Sequence, residues 1–443
     1  MSDLTSAAAL LAERIENRKA TVAVIGLGYV GLPLLLSFVE KGFASLGLDI
    51  DADKLQRLRA GHSYLTHVPA TRIEAAAATG RWHLDTDFAQ LEQADAILIC
   101  VPTPLTPQRD PDLSHVQQTA RAVAAHARTG QLLVLESTTY PGTTEELICP
   151  LLAAQGLKIG HDVFVAYSPE REDPGNTSYH TGNIPKVVGG VDVAATRLAA
   201  QLYAQVVAQV VPVRDARVAE ATKLTENIFR AVNIALVNEL KMVFDPMGID
   251  IWEVLDAAAT KPFGFRRFDP GPGWGGHCIP VDPFYLSWKA REYGVSAKFI
   301  ELAGEVNVAM PYYVLGKLQS ALNRRGQPMQ GARILLLGLA YKAGVGDTRQ
   351  SPALELMRRL LAAGAHVDYH DPFVPEVPPT RAWPELTGRR SVPLDREQLH
   401  TADAVLLVTA HPDVDYAAVQ SHARLIVDTR GIIARDCATL VRA

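Results

Sequence analysis

Short apolar runs, rich in β-branched residues, recur along this chain and are closed by glycine or by a charge. Thr21–Ile25 (TVAVI) ends at Gly26, and Ala44–Leu48 ends at Asp49. Ala94–Val101, Leu132–Leu135 and Val163–Ala166 repeat the pattern. Continuous apolar runs of this length read as strands covered on both faces, as in a parallel sheet. An apolar helix is predicted between the first two, over Leu32–Val39. The alternation predicts a doubly wound α/β domain over about the first 210 residues.

The pattern then changes. Ala216–Phe244 runs without an internal Gly or Pro and reads as one long helix, ended by Pro246 and Gly248. Helical periodicity returns at Ile249–Thr260 and Val295–Asn323, with a Gly- and Pro-rich loop, Pro262–Pro283, between them. A second α/β cycle starts at Arg333–Leu337, closed by Gly338. A helix at Pro352–Ala363 and strands at His366–Tyr369, Ala404–Val408 and Leu425–Val427 follow. The expected layout is α/β, a helical linker and a second α/β domain. The expected domains are 1–212, 213–325 and 326–443.

A chain of 443 residues exceeds one ordinary core. With 48% hydrophobic and 21% charged residues it is too apolar for disorder. A net charge of -5 argues against a broad nucleic-acid surface but leaves room for a local basic pocket. The longest apolar runs fall far short of the roughly 18–20 residues a membrane span needs. Near the N-terminus, Glu13, Arg14, Glu16 and Arg18 follow the apolar stretch, the wrong order for a signal peptide. The four cysteines, Cys100, Cys149, Cys278 and Cys437, form no CxxC pair, so neither a metal site nor a disulfide framework is indicated. Reduced thiols and a cytoplasmic location are the expectation.

Gly26, Gly28 and Gly31 form GxGxxG directly after a strand and at the start of a helix. The first glycine allows a tight turn, the second lets the backbone approach a pyrophosphate, and the third allows close packing of helix on strand. A helix N-terminus offers N–H groups and partial positive charge to the phosphates. Asp49 ends the second strand, where its carboxylate accepts from ribose hydroxyls and repels a 2′-phosphate. NAD is therefore the expected cofactor. The later turn from Gly338 to Lys342 lacks the full fingerprint, and no second NAD is assigned to it.

Cys278 sits among Gly, His and Asp in GWGGHCIPVDP, 273–283, whereas Cys100 and Cys149 sit among apolar residues. A thiol in that setting is a candidate nucleophile, and a nearby cation is needed to raise its thiolate fraction. Lys223 is the candidate cation. With Asn227 one helical turn on it can hold an oxyanion, or the pair is a plain solvated face. The hydroxyls of Glu136–Thr144, Thr138 among them, follow a strand and are expected at the carboxyl edge of the sheet. Glu170, in Tyr167–Pro174, also follows a strand and is either a general base or a loop carboxylate.

Together these segments resemble the UDP-glucose/GDP-mannose dehydrogenase superfamily over nearly the whole chain, from Gly26 to about Arg430. The matching motifs are GLGYVG at 26–31, VPTP at 101–104, ESTTYPGTT at 136–144, YSPER at 167–171, the Lys223/Asn227 helix, GGHCIPVDP at 275–283 and the turn LAYK with DTRQSP ending at Pro352. KPFGF with PGPGWGGHCIPVDPFYL is similar to the branch that acts on UDP-N-acetylglucosamine. The resemblance implies an α/β fold of two Rossmann-like doubly wound domains joined by a long central helix and helical linker domain, with NAD on the first domain, UDP-sugar on the last, and dimerisation or higher homo-oligomers through the middle. It implies Cys278 as the nucleophile at C6 of the sugar and Lys223 and Asn227 as oxyanion partners. Thr138, Asp282 and Glu170 would handle water and protons. It further implies Tyr29, Val30, Thr103 and Arg349 near the dinucleotide, and Glu170, Arg171, Gly273 and Lys342 near the substrate. Many members place an arginine before the catalytic loop; Arg266 and Arg267 lie nearby but align with it insecurely.

The reaction implied is a four-electron oxidation of a hydroxymethyl group to a carboxylate. UDP-glucose, UDP-N-acetylgalactosamine and UDP-N-acetylmannosamine are the alternative substrates. Three other readings compete: a short-chain dehydrogenase or epimerase, a two-electron β-hydroxyacid dehydrogenase, and a non-catalytic nucleotide-sugar sensor. The Tyr-x-x-x-Lys pairs that the first would use, Tyr285/Lys289 and Tyr313/Lys317, lie outside the nucleotide domain.

Overall fold

The computed structural model describes residues 5–65, 67–106, 110–172, 182–276, 279–380 and 382–443. They fall into two compact units. One holds the described residues up to Glu226 with Trp288–Gly294; the other holds Asn227–Ser287 and Val295–Ala443.

The first unit contains eight strands: β1 (Thr21–Ile25), β2 (Ala44–Leu48), β3 (Trp82–Asp85), β4 (Ala96–Ile99), β5 (Gln131–Leu135), β6 (Val163–Tyr167), β7 (Lys186–Gly190) and β8 (Val210–Pro212). They form one sheet in the order β3-β2-β1-β4-β5-β6-β7-β8. Every pairing is parallel except β6 with β7. The chain leaves β1 toward β2 on one side and returns to place β4 on the other. That reversal opens a crevice at the carboxyl ends of the strands, where open α/β sheets bind ligands. The helix Gly31–Glu40 is buried almost all round, with Leu32, Leu35 and Phe38 in the core. Its Pro33 falls in the first turn, where a missing N–H costs nothing.

Helix Ala216–Phe244 has 29 residues and carries the chain from the first unit into the second. At 1.5 Å per residue it is about 43 Å long. It ends as predicted, with Pro246 in the next turn and Gly248 in the left-handed region at φ 69°. The second unit contains β9 (Arg333–Leu337), β10 (His366–His370), β11 (Ala404–Leu407), β12 (Ile426–Asp428) and β13 (Leu440–Arg442). These form an all-parallel sheet in the order β10-β9-β11-β12-β13. The fold is thus the α/β arrangement of two Rossmann-like sheets joined through a long helix.

Four strands were not expected from the sequence. Trp82–Asp85, Val210–Pro212 and Leu440–Arg442 lie at sheet edges, where one flank faces no partner and a long apolar run is not required. Lys186–Gly190 is fully buried but opens with a lysine and ends with two glycines, so it carries little apolar pattern. Helix Asp282–Glu292 was also missed, because its apolar and polar residues do not segregate onto separate faces.

Candidate active site

The glycine turn of the first unit has the features a dinucleotide needs. Gly26 has φ 88°, and a Cβ there would stand 2.6 Å from the carbonyl oxygen of Cys100. A Cβ on Gly31 would stand 2.0 Å from the carbonyl oxygen of Gly26. Gly28 has open space on that side, so its backbone can be approached. The helix that follows starts after Val30 with no side-chain cap, and its N-terminal end brings partial positive charge to the place a phosphate would take. Asp49 is 6% exposed. It accepts from the Leu27 N–H at 2.9 Å and from Lys54 Nζ at 3.2 Å, which fixes the carboxylate beside the turn. Tyr29 stacks on His67, with centroids 5.3 Å apart, and Thr103 is buried. The residues present fit NAD.

At the carboxyl edge of β5 and β6 lies a buried charge network. Glu136 accepts from Lys186 Nζ at 2.6 Å and from the Tyr203 hydroxyl. Lys186 also stands 3.5 Å from Glu170. Burial alone would lower the Lys186 ammonium, but Glu136 and Glu170 outweigh it and hold the group charged. Burial alone would raise the Glu170 carboxyl. Lys186, the N–H groups of Glu172 and Arg171, and Lys223 together keep it below the usual range. Both of those N–H bonds are 2.6 Å. Lys223, on the central helix, donates to the Glu170 carbonyl oxygen at 2.5 Å. Arg171 is tied to Glu226 at 2.5 Å and to the Pro185 carbonyl at 2.7 Å.

Thr138 is half-buried in the turn after β5. That turn is held from the central helix by Glu220, which accepts from Gly142 N–H, Thr144 N–H and the Thr144 hydroxyl at 2.5, 2.9 and 2.7 Å. Burial pushes the Glu220 carboxyl up to about 7 against these three donors.

In the second unit, Asn227 Nδ2 donates to the Asp282 carboxylate, and both side chains are buried. Asp282 opens helix Asp282–Glu292. The glycines before Cys278 press against the turn after β9. A Cβ on Gly275 would meet Tyr341 Cβ at 2.8 Å, and one on Gly276 would meet the Tyr341 ring at 2.9 Å. The Gly276 N–H donates to the Arg349 carbonyl at 3.0 Å. These glycines therefore allow close packing of the loop on that turn. Gly273 has φ 130° and lies near the Asn307 carbonyl. Lys342 is half-buried on the same turn as Tyr341, while the Arg349 side chain pairs with Asp347 at 2.6 Å. Arg267 pairs with Asp256 and Asp269. Cys278 itself, with His277, lies outside the described residues.

Within the first unit, then, Lys223, Glu170 and Arg171 come together, and the GxGxxG turn meets Asp49. Within the second, Asn227 meets Asp282, and the glycine loop meets the turn of Tyr341, Lys342 and Arg349. Sequence reasoning missed Lys186, Tyr203 and Glu220. The available sign for the first was only a lysine next to the Val187–Val188 pair. Burial raises the thiols of Cys100 and of Cys149, the latter to about 12, consistent with inert packing. Among the described residues no group of three His, Cys, Asp or Glu side chains is arranged for a metal ion. No described helix is long and apolar enough to cross a membrane.

Three family models match consecutive stretches of the chain. They are the NAD binding domain of the UDP-glucose/GDP-mannose dehydrogenase family over residues 20–207, its central domain over 217–309 and its UDP binding domain over 335–435. A UDP-N-acetyl-D-glucosamine 6-dehydrogenase of Pseudomonas aeruginosa is 37% identical, covering 80% of this chain and 83% of its own length. An NDP-N-acetyl-D-galactosaminuronic acid dehydrogenase of Ralstonia nicotianae is 36% identical over 93% of this chain and 96% of its own. The solved UDP-D-ManNAc dehydrogenase structure from Pyrococcus horikoshii matches with a TM-score of 0.86 and 32% identity, over 95% of this chain and 98% of that one.

Proposed function

The chain belongs to the UDP-glucose/GDP-mannose dehydrogenase family, and from that premise we propose that it oxidises C6 of UDP-N-acetylglucosamine to the carboxylate, with Cys278 as covalent nucleophile. It is an NAD-dependent UDP-sugar dehydrogenase; the sugar and the residue roles are the proposal. The observation that carries it is the buried Asn227–Asp282 pair, Asp282 standing four positions after Cys278 in the sequence, with Gly275 and Gly276 anchored on Tyr341 and Arg349. A UDP-N-acetyl-D-glucosamine 6-dehydrogenase at 37% identity supports that sugar, and an NDP-N-acetyl-D-galactosaminuronic acid dehydrogenase at 36% makes N-acetylgalactosamine the first alternative.

NAD, when bound, accepts a hydride in each of two oxidations. The chain's own groups do the rest. Glu170, ionised between Lys186 and Lys223, takes protons through water. Lys223 and Asn227 hold the C6 oxygen while the Cys278 sulfur adds to the aldehyde, giving a thiohemiacetal. Loss of the second hydride leaves a thioester. Water then adds, the carbon–sulfur bond breaks, the thiolate leaves and the carboxylate forms. Thr138 and Asp282 order that water. On this reading Arg171, Gly273 and Lys342 line the nucleotide-sugar site. Tyr29, Val30, Thr103 and Arg349 line the dinucleotide site.

A homodimer or higher oligomer belongs to the same reading. Phe229, Leu236 and Val243 are exposed at seven-residue spacing on the central helix, an apolar stripe suited to a second copy. The test of function is NADH yield across UDP-N-acetylglucosamine, UDP-N-acetylgalactosamine, UDP-N-acetylmannosamine and UDP-glucose. Two NADH per sugar, with the highest kcat/KM for the first, is expected. One NADH per sugar removes the covalent scheme, and a clear preference for another sugar removes the substrate assignment.

A further inference from the structure

Among the buried N–H groups of the second unit without a hydrogen-bond acceptor in the described residues are Lys241 Nζ, Trp252 Nε1 and Arg442 Nε. All three side chains line one cavity of about 180 Å³, together with Asp245, Tyr313 and Ala443. We propose that this cavity is a binding site for a small oxyanion bearing a carboxylate or phosphoryl group, separate from the NAD and UDP-sugar sites.

The wall carries Lys241 and Arg442 as cations, and the two aspartates beside them, Asp245 and Asp250, are each paired with another cation. Lys241 is 3% exposed and lies near the rings of Trp252 and Tyr313, at 5.8 and 5.4 Å from their centroids. Arg442 stands 5.1 Å from the Trp252 centroid. The Asp245 carboxylate is taken by Lys317 at 2.7 and 2.8 Å. Asp250 is paired with Arg435 at 3.0 Å and lies 3.8 Å from Arg442 Nε, beyond hydrogen-bond range. The Arg442 Nη atoms are bound to Asp428 and to the Ile433 carbonyl. Lys241 Nζ thus has no hydrogen-bond partner among the described residues.

Leaving a buried donor unmade costs about 1–3 kcal/mol, more for a charged group, and three on one cavity call for a common acceptor. Ordered water satisfies such donors, and the volume is far above the roughly 10–15 Å³ that one water needs. Water, however, brings no negative charge to Lys241 in its protonated form. An oxyanion brings both several lone pairs and the compensating charge, and its bonds to charged donors are the stronger class.

The test uses the full chain saturated with NAD and UDP, so that both nucleotide sites are filled. Inorganic phosphate and, separately, acetate are titrated by calorimetry. One saturable site per chain for at least one of them is expected; phosphate alone or acetate alone assigns the ligand class. Lys241→Met should weaken that binding at least about tenfold while leaving the rate of NADH formation unchanged. Trp252→Phe, which keeps an aromatic ring but removes the indole N–H together with the five-membered ring that bears it, should weaken it by a smaller factor. Absence of any saturable binding, or affinity unchanged in Lys241→Met, overturns the proposal.

Discussion

Glu220 takes two hydrogen bonds from Thr144, one from its main-chain N–H at 2.9 Å and one from its hydroxyl at 2.7 Å. A residue of the central helix thereby sets the turn that carries Thr138. Glu220→Gln keeps the size but supplies only one oxygen for three donors. The expected result is a loss of about 1–3 kcal/mol of stability and a fall in kcat larger than any change in KM for NAD. Burial places the Glu220 carboxyl at about 7, above its unfolded value. The folded state therefore holds the extra proton, and this group's contribution declines as pH rises from about 4.3 to 7. Thermal melts of the wild type should show that decline, and the glutamine variant should lack it. Parallel melting curves for the two proteins would remove the role assigned to Glu220.

Asn227 and Asp282 offer a second, sharper test. Asn227→Asp would set two buried carboxylates against each other, and one of them must then stay protonated. Activity of that variant should be severely reduced at pH 8 and recover part of the way toward wild type at pH 6. Asn227→Ala should lose activity with little such recovery. If Asn227→Asp follows the wild-type pH profile, the pair does not sit in the reaction path.

How much of this was legible in the sequence depends on the kind of residue. The strand runs at Thr21–Ile25 and Arg333–Leu337, and the helix Ala216–Phe244, coincide with the observed elements, because full burial forces an uninterrupted apolar pattern. The GxGxxG turn and Asp49 were readable because both follow from backbone geometry at a strand end. The Glu136–Lys186–Tyr203 network was not. Its three members are 50 and 67 residues apart, and only the sheet order brings β7 beside β6. Glu220 was hidden for a related reason, since a carboxylate on a long helix looks like any solvated one until the turn it holds is placed. The cavity of Lys241 and Arg442 joins the central helix to the last strand, a distance along the chain that no local pattern spans.

Asp49→Ala should weaken NAD binding while leaving UDP-sugar binding nearly intact. The variant removes the acceptor for the Leu27 N–H and the partner of Lys54. The loss should therefore include some disorder of the glycine turn as well as the ribose contact. Separate equilibrium titrations with NAD and with UDP-sugar check this, and equal losses in both would count against the assigned site.

Cys278→Ser should stop or greatly slow formation of the acid, because an alkoxide ester is a poorer intermediate than a thioester and a serine hydroxyl is a far weaker nucleophile at neutral pH. NADH yield should fall from two per sugar toward one or fewer. Wild-type turnover in this variant would exclude the covalent route while leaving the NAD and nucleotide assignments in place.

Lys241 makes a prediction about stability that is independent of catalysis. Burial first, then Arg430 and Lys317, lowers its ammonium to about 7, with Asp428 and Asp245 opposing. The rings of Trp252 and Tyr313 face it as well. In the unfolded chain a lysine titrates near 10.4. Below about pH 7 both states carry the proton, so the folded state bears the full penalty of a buried charge. Between about 7 and 10 the unfolded state binds the extra proton, and stability from this group rises with pH. Lys241→Met removes the penalty. In phosphate-free buffer its melting temperature should therefore exceed that of the wild type at pH 6.5, and the gap should close by pH 9.5. Added phosphate or acetate should narrow the gap at pH 6.5 by stabilising only the wild type. A gap that is constant across this pH range would mean that Lys241 is neither displaced in its titration nor short of a partner.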